Sequence, residues 1–254
     1  MPRENKRFLV LFFESLIFYK RYVLPLLMIS AIFFIPLEFL NTFFWNNTAL
    51  IQKLSFNFSS MFVQCLSGLI ILIMILFFLL YFLALLKGIH CADTAEPIRV
   101  FSIYSIALKR LKDYLWIKLM YLFKVISWSF LIILPGIIFA GLYGFAPLVL
   151  LIDGKKGEEA LRFSKEIVKP FLIQYFDYLF FVVLLLFSFF APLIIILDLW
   201  INQLLSKEQF SIAHSIYYGE CLLIIGAGIY FVIFYYFLYK ELKLRMESQE
   251  VTVG

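Results

Sequence analysis

The sequence predicts an all-α, polytopic transmembrane helical bundle: six spans with three interfacial elbow helices on the cytoplasmic side. Three observations carry that prediction. Of the 254 residues 64% are hydrophobic and only 15% charged, against about half and about a quarter in a soluble domain. Thirty-two Phe and 15 Tyr add more bulk than one water-soluble core hides, so the excess faces lipid. Basic residues sit between the apolar stretches in an alternating pattern, as positive-inside topology demands.

Taken in order, the opening Met1–Arg7 is short and polar and no small-residue cleavage site follows it. The first hydrophobic elements are therefore expected to belong to the mature fold. A bilayer core of about 30 Å needs around 20 apolar residues per helix. Tyr22–Phe44, Phe62–Leu86, Tyr178–Trp200 and Ile216–Tyr239 meet that requirement directly. Leu115–Ile152 is too long for one span at about 1.5 Å per residue. Leu134-Pro135-Gly136 near its middle suits a tight turn between two antiparallel helices, because proline lacks an amide proton and glycine tolerates positive φ. The same pair would also suit a kink in one long helix.

Charge decides between these. With a hairpin at Pro135-Gly136 the spans fall at about 22–44, 62–86, 115–134, 136–152, 178–200 and 216–239, in a single integral membrane domain of residues 1–254. The inside then holds five basic residues from Arg3 to Arg21, seven from Lys87 to Lys124, five from Lys155 to Lys169 and three from Lys240 to Arg245. Of the 22 basic residues only Lys53 and Lys207 remain outside, whereas one long span would leave thirteen against nine. The hairpin satisfies the positive-inside rule, and both termini are expected in the cytoplasm.

Three amphipathic stretches lie on the predicted inner side: Phe8–Tyr19, Ile98–Tyr114 and Glu158–Phe171. Ile98–Tyr114 and Glu158–Phe171 mix bulky apolar residues with Lys or Arg, and Phe8–Tyr19 is flanked by Lys6, Arg7, Lys20 and Arg21, as a helix lying in the headgroup plane is. Lys109, Arg110, Lys112, Arg162 and Lys169 are the expected membrane-surface cations, each contributing about 1 kcal/mol of attraction to an anionic leaflet. The positive-inside rule alone predicts the same bias. A loose spacing, Ser15 to Lys20, Ser105 to Arg110 and Ser164 to Lys169, is consistent with three repeats of an elbow plus two spans.

Leu134-Pro135-Gly136-Ile137-Ile138-Phe139-Ala140 leads into Ala146-Pro147-Leu148-Val149-Leu150. An Asp153-Gly154 turn follows, then Gly157-Glu158-Glu159-Ala160-Leu161-Arg162-Phe163-Ser164. This run of about 35 residues resembles the YciC-like family of bacterial inner-membrane proteins, related to the membrane domain fused to some glycerophosphodiester phosphodiesterases. The resemblance implies a six-span inner-membrane protein of unassigned biochemical activity, linked to envelope or membrane homeostasis. It carries over no catalytic residue, because no soluble phosphodiesterase domain is present. The elbow also ends in Val168-Lys169-Pro170-Phe171, where that family often has Gly and Trp. Gly136, Gly141 and Gly144 precede Pro147, and small residues with a membrane proline point to a close-packed, kinked helix. The sharper reading is a helix broken to line a substrate path.

Glu38, Asp198 and Glu220 lie near predicted outer span ends and are the candidate functional carboxylates, since intramembrane acids mark proton or cation paths. Each is also close enough to a span end to reach water. Asp177, Glu14 and Lys124 are similar cases on the inner side, and Lys124 is placed to snorkel. Cys65, Cys91 and Cys221 read as apolar packing residues. His90 and His214 fall on opposite sides and share no ligand cluster, so no metal and no cofactor is expected. The sequons Asn46-Asn47-Thr48 and Asn57-Phe58-Ser59 read as coincidence in a bacterial setting. No GxxxxGK[ST], HExxH or GxSxG occurs, so nucleotide and common hydrolase chemistry lack support. The expectation is a non-enzymatic protein that binds or moves lipid, with membrane lipids and the anionic inner leaflet as partners and no nucleic acid. A secondary transporter or channel using the three carboxylates is the alternative.

Overall fold

The computed structural model of the chain describes residues 3–46, 60–129, 133–206 and 209–253. Every regular element among them is helical. In order these are α1 (Arg3–Asn46), α2 (Ser60–Asp93), α3 (Val100–Ser129) and α4 (Ile133–Leu142), then a single turn α5 (Ala146–Leu148) running into π-helical Val149–Asp153. Next come α6 (Gly157–Val168), a 3-10 turn Lys169–Phe171, α7 (Leu172–Ser206) and α8 (Phe210–Val253). Among these residues five stretches are long and apolar enough to cross a bilayer: Phe8–Glu38, Gly68–Asp93, Pro135–Asp153, Gly157–Ser206 and Ser215–Gln249. They fit a multi-pass membrane protein.

Surface chemistry agrees. Phe187 and Phe189 on α7 are 71% and 75% exposed, and Leu69 through Ile73 on α2 are all open. Such continuous apolar surface is a liability in water and costs nothing against lipid tails. At 44 residues each, α1 and α8 would each extend about 66 Å. That exceeds the full bilayer with headgroups, about 40–45 Å, so neither fits upright within it.

Contacts divide the chain into two compact units, residues 1–24 with 112–254, and residues 25–111. Helix α1 passes from one to the other between Leu24 and Pro25, and α3 between Leu111 and Lys112. The smaller unit is cored by Leu26, Ile29, Leu83, Leu86 and Ile89, all almost fully buried. Gly88 brings α2 close to α1 here: a Cβ added at Gly88 would lie 2.5 Å from the Ile29 side chain. Phe33 stacks on Tyr81 at 5.0 Å, and the Tyr81 hydroxyl pairs with Ser30 at 3.2 Å. Helix α2 ends in a left-handed cap, with Ala95 at φ 57° and Glu96 N–H donating to the Cys91 carbonyl at 2.8 Å. This six-to-one bond closes orphan carbonyls at a helix C-terminus. In the larger unit α7 and α8 form the most extensively packed pair.

Several expectations need restating against this architecture. The stretch 8–19 runs unbroken into the rest of α1 and 100–114 into the rest of α3, and 158–171, as α6 and its 3-10 turn, passes directly into α7. A continuous helix satisfies every i→i−4 bond across the junction, and neither 20–22 nor 112–116 contains a proline or glycine to stop it. Pro135 and Gly136 are helical rather than turn residues, in the first turn of α4. Proline is at home there, because the first-turn amides have no intrahelical acceptor. Helix α3 has already ended at Ser129, and Gly136 packs directly on Ser129. The end of the expected third span, at 130–132, lies outside the described residues, as do Lys53, Lys207 and both sequons beyond Asn46.

Candidate functional site

The larger unit is organised around a break in an apolar helix. Pro147 has no amide proton, so in an unbroken helix it would leave the Tyr143 carbonyl without a partner. The chain responds by tightening. Ala146 N–H donates to Tyr143 O at 3.2 Å and Gly144 N–H to Gly141 O at 3.1 Å. Those substitutions strand two other groups, the Phe145 amide and the Leu142 carbonyl. Ser164 of α6 serves both: its Oγ accepts from Phe145 N–H at 3.1 Å and donates to Leu142 O at 2.9 Å. Ser164 is fully buried. Non-helical backbone at membrane depth survives only where protein satisfies it, and one hydroxyl does so here.

Glycine makes room for the rest. A Cβ at Gly144 would sit 2.6 Å from the Tyr175 hydroxyl and 3.1 Å from that of Tyr235, and one at Gly141 would sit 2.5 Å from the Phe176 ring. The Tyr175 and Tyr235 hydroxyls hydrogen-bond to one another. The Phe145 ring is fully buried against Tyr175, Tyr235 and Tyr239, with centroids 5.2, 4.9 and 5.3 Å away. Beyond the break, the π-helical segment ends at Asp153, whose carboxylate accepts from the Tyr239 hydroxyl and the Lys243 ammonium. Gly154 at φ 72° then turns the chain toward α6. Asp153 and Lys243 are 13% and 24% exposed, so this pair is better shielded than a surface ion pair.

Helix α3 runs beside the start of α6. Asp113 pairs with Lys156 at 2.7 Å and Lys124 with Glu158 at 3.0 Å. Trp116 lies against Gly157, where an added Cβ would be 3.6 Å from the indole. Between them the Lys118 ammonium sits over two rings, 5.7 Å from the Tyr114 centroid and 5.3 Å from that of Tyr121.

A separate apolar groove of about 290 Å³ lies between the first part of α1 and the middles of α7 and α8. Phe12, Leu16, Leu186, Phe189, Leu222 and Gly226 form its walls. Phe189 and Leu222 are also well exposed, so it opens sideways toward the lipid-facing surface. The Tyr230 hydroxyl beside it donates to Phe12 O at 3.4 Å.

The expected carboxylates are placed unequally. Glu220 on α8 is 7% exposed and lies within electrostatic reach of Asp198 on α7, which is exposed. Neither lines the groove. Glu38 is half-buried in the smaller unit. Lys109, Lys112, Arg162 and Lys169 are exposed and Arg110 is half-buried, with Arg162 3.8 Å from Glu166. Pro147 is buried at the break. The serines of the proposed repeat differ: Ser15 and Ser164 are fully buried, and Ser105 is exposed. Among the described residues no three His, Cys, Asp or Glu side chains converge on a metal-sized site. In the smaller unit the Cys91 thiol, 3.3 Å from Glu96, and then the Lys87 ammonium at 3.6 Å hold the Glu96 carboxyl below the usual carboxylate range. Burial, then the nearby Tyr81, raises the Tyr104 phenol to about 12. Tyr104 donates to the Ile29 carbonyl at 2.8 Å.

No protein family, curated protein or solved structure matches the chain.

Sequence reasoning missed Tyr175, Tyr235, Tyr239, Lys118 and Lys243 as members of this site, and quoted Ser164 only as part of a motif. One signal was available: in so Phe-rich a chain, a tyrosine inside an apolar stretch carries a hydroxyl that must find a partner.

Proposed function

We propose that this protein handles membrane lipid without catalysing a reaction, as a six-span bacterial inner-membrane protein with both termini in the cytoplasm. The observation that carries the reading is the apolar groove between α1, α7 and α8, whose volume of about 290 Å³ falls just short of the usual range for ligand pockets, roughly 300–1,000 Å³. Its lining is mainly apolar side chains, with Tyr19 and Tyr230 the exceptions, and Phe189 and Leu222 on its lipid-facing side are exposed. An acyl chain meets that description, and a polar solute does not. The cations on 98–114 and on α6 support the orientation, because each would be attracted to an anionic inner leaflet. The resemblance of residues 134–164 to the YciC-like family points the same way.

Native mass spectrometry of protein extracted gently from its own membrane tests the reading. Retained phospholipid is expected, and because Ala227 also lines the groove, Ala227→Phe should fill it and reduce retention several-fold. Lipid-free wild-type protein would sink the proposal. A second reading, a transporter or channel, rests on the buried Glu220 within reach of Asp198. In proteoliposomes, proton or cation flux abolished by Glu220→Gln would establish it, and absence of flux would remove it.

A further inference from the structure

Lys118 differs from the cations around it. Lys156 and Lys124 are neutralised by Asp113 and Glu158, and Lys155 by Glu159 at 3.4 Å. Lys118 is part-buried and, among the described residues, has no carboxylate partner. Its company is two aromatic faces. Ring faces attract the charge but accept none of the three ammonium protons in the way an anionic oxygen does.

Its position fits an external anion. Tyr114 and Ile117 face inward, each 1% exposed, while Leu119 and Leu122 are 59% and 51% exposed. Lys118 lies at the edge of the buried face, one turn from exposed Leu122, so a ligand arriving along the lipid-facing side meets it first. Asp113 and Lys124, on either side of it along α3, both engage charges at the start of α6. Lys118 therefore lies at the level of a charged surface, where headgroups sit. Further polar groups are near: Tyr121 is within electrostatic reach of the hydroxyl pair Tyr175 and Tyr235 at the helix break.

We propose that Lys118, held between the rings of Tyr114 and Tyr121, is a headgroup subsite that takes the phosphate of an anionic phospholipid. The proposal rests on the lipid-handling reading and names the lipid class. It assigns the groove and this subsite different tasks, the groove gripping apolar chain and Lys118 selecting the headgroup.

The test uses the full chain in vesicles of phosphatidylcholine with phosphatidylglycerol, followed by native mass spectrometry of the retained lipid. Both lipids carry a phosphate, but the choline ammonium of phosphatidylcholine is repelled by Lys118, so wild type is expected to prefer phosphatidylglycerol by roughly tenfold. Lys118→Met should abolish the preference and Lys118→Arg should keep it. Lys155→Met, which removes a cation already paired with Glu159, should leave it unchanged. Millimolar inorganic phosphate should not displace the lipid; displacement would assign the site to the free anion and overturn the proposal. Lys118→Met with the wild-type preference and thermal midpoint would also overturn it. Should that variant fail to fold, photo-crosslinking wild type with a headgroup-diazirine phosphatidylglycerol decides: adducts are expected on 115–122, and adducts only elsewhere refute the subsite. If Ala227→Phe loses lipid while Lys118→Met keeps its preference, lipid handling stands and the subsite falls. If wild type retains no lipid, both fall.

Discussion

Ser164 shows how much one hydroxyl can carry in a membrane protein. It closes both backbone groups stranded by the Gly144–Pro147 break, and a buried unsatisfied group costs about 1–3 kcal/mol. Ser164→Ala should therefore lower stability by about 2–4 kcal/mol in a detergent-denaturation measurement, while Ser105→Ala at the exposed repeat position stays within about 0.5 kcal/mol. At Gly144 the obstacle is the Tyr175 hydroxyl. Gly144→Ala is expected to cost about 1–3 kcal/mol by overpacking, and Tyr175→Phe in the same chain should recover part of that loss; no recovery would show that the clash lies elsewhere. Tyr104 supplies a pH signature. Its unfolded phenol ionises near 10 and its folded one near 12, so the unfolded state gives up its proton first. The stabilisation from Tyr104 is intact below pH 10 and is lost as pH rises from 10 to 12. Comparing thermal midpoints of wild type and Tyr104→Phe at pH 8 and pH 11 checks this: the gap between them should narrow at the higher pH.

At the scale of elements, α6 is a clamp rather than a surface decoration. Its Ser164 holds the break, and the π-helical segment preceding it is tied to α8 through Asp153, Tyr239 and Lys243. Lys243→Met would leave the shielded Asp153 carboxylate with the phenol alone, at a cost of about 1.5–3 kcal/mol. Lys155→Met breaks only the open i,i+4 pair with Glu159, worth at most about 0.5 kcal/mol. Equal losses from the two variants would show that the clamp adds nothing. The amphipathic character of 158–171 was legible, because apolar and charged residues alternate at helical spacing. Its task was not, because Leu142 and Phe145 are 22 and 19 residues away from Ser164. The same limit applied at Pro135-Gly136. A proline-glycine pair marks a helix boundary from either side, and local sequence does not say whether the pair closes one helix or opens the next.

The whole molecule is a set of long helices whose apolar surface is turned outward. Mean burial is low along α7, where Leu184, Leu185, Phe187 and Phe189 are all exposed, and that pattern is stable only in lipid. The protein should therefore stay with the membrane fraction through an alkaline carbonate wash. The proposed orientation is tested separately by reporter fusions. A fluorescent protein after Gly254 should light up, and alkaline phosphatase inserted in 47–59 should be active; the reverse pattern would invert the topology while leaving the helices unchanged. The positive-inside count depends on the short loops, and the structure places Lys109, Lys112, Arg162 and Lys169 on exposed surface, where the leaflet would find them.

The membrane class of this protein, its helical content and the position of its longest apolar stretches were determined by sequence alone. Transfer of apolar residues to lipid sums along a contiguous segment, and backbone satisfaction inside a bilayer leaves a helix as the natural answer for such segments. Tertiary structure alone decided which polar groups matter. Tyr239 and Lys243 find Asp153 across 86 and 90 residues, and Ser164 answers a gap opened by a proline in another element. Hydrogen bonds of that kind have no local signature, because their energy depends on where distant helices bring the partners together.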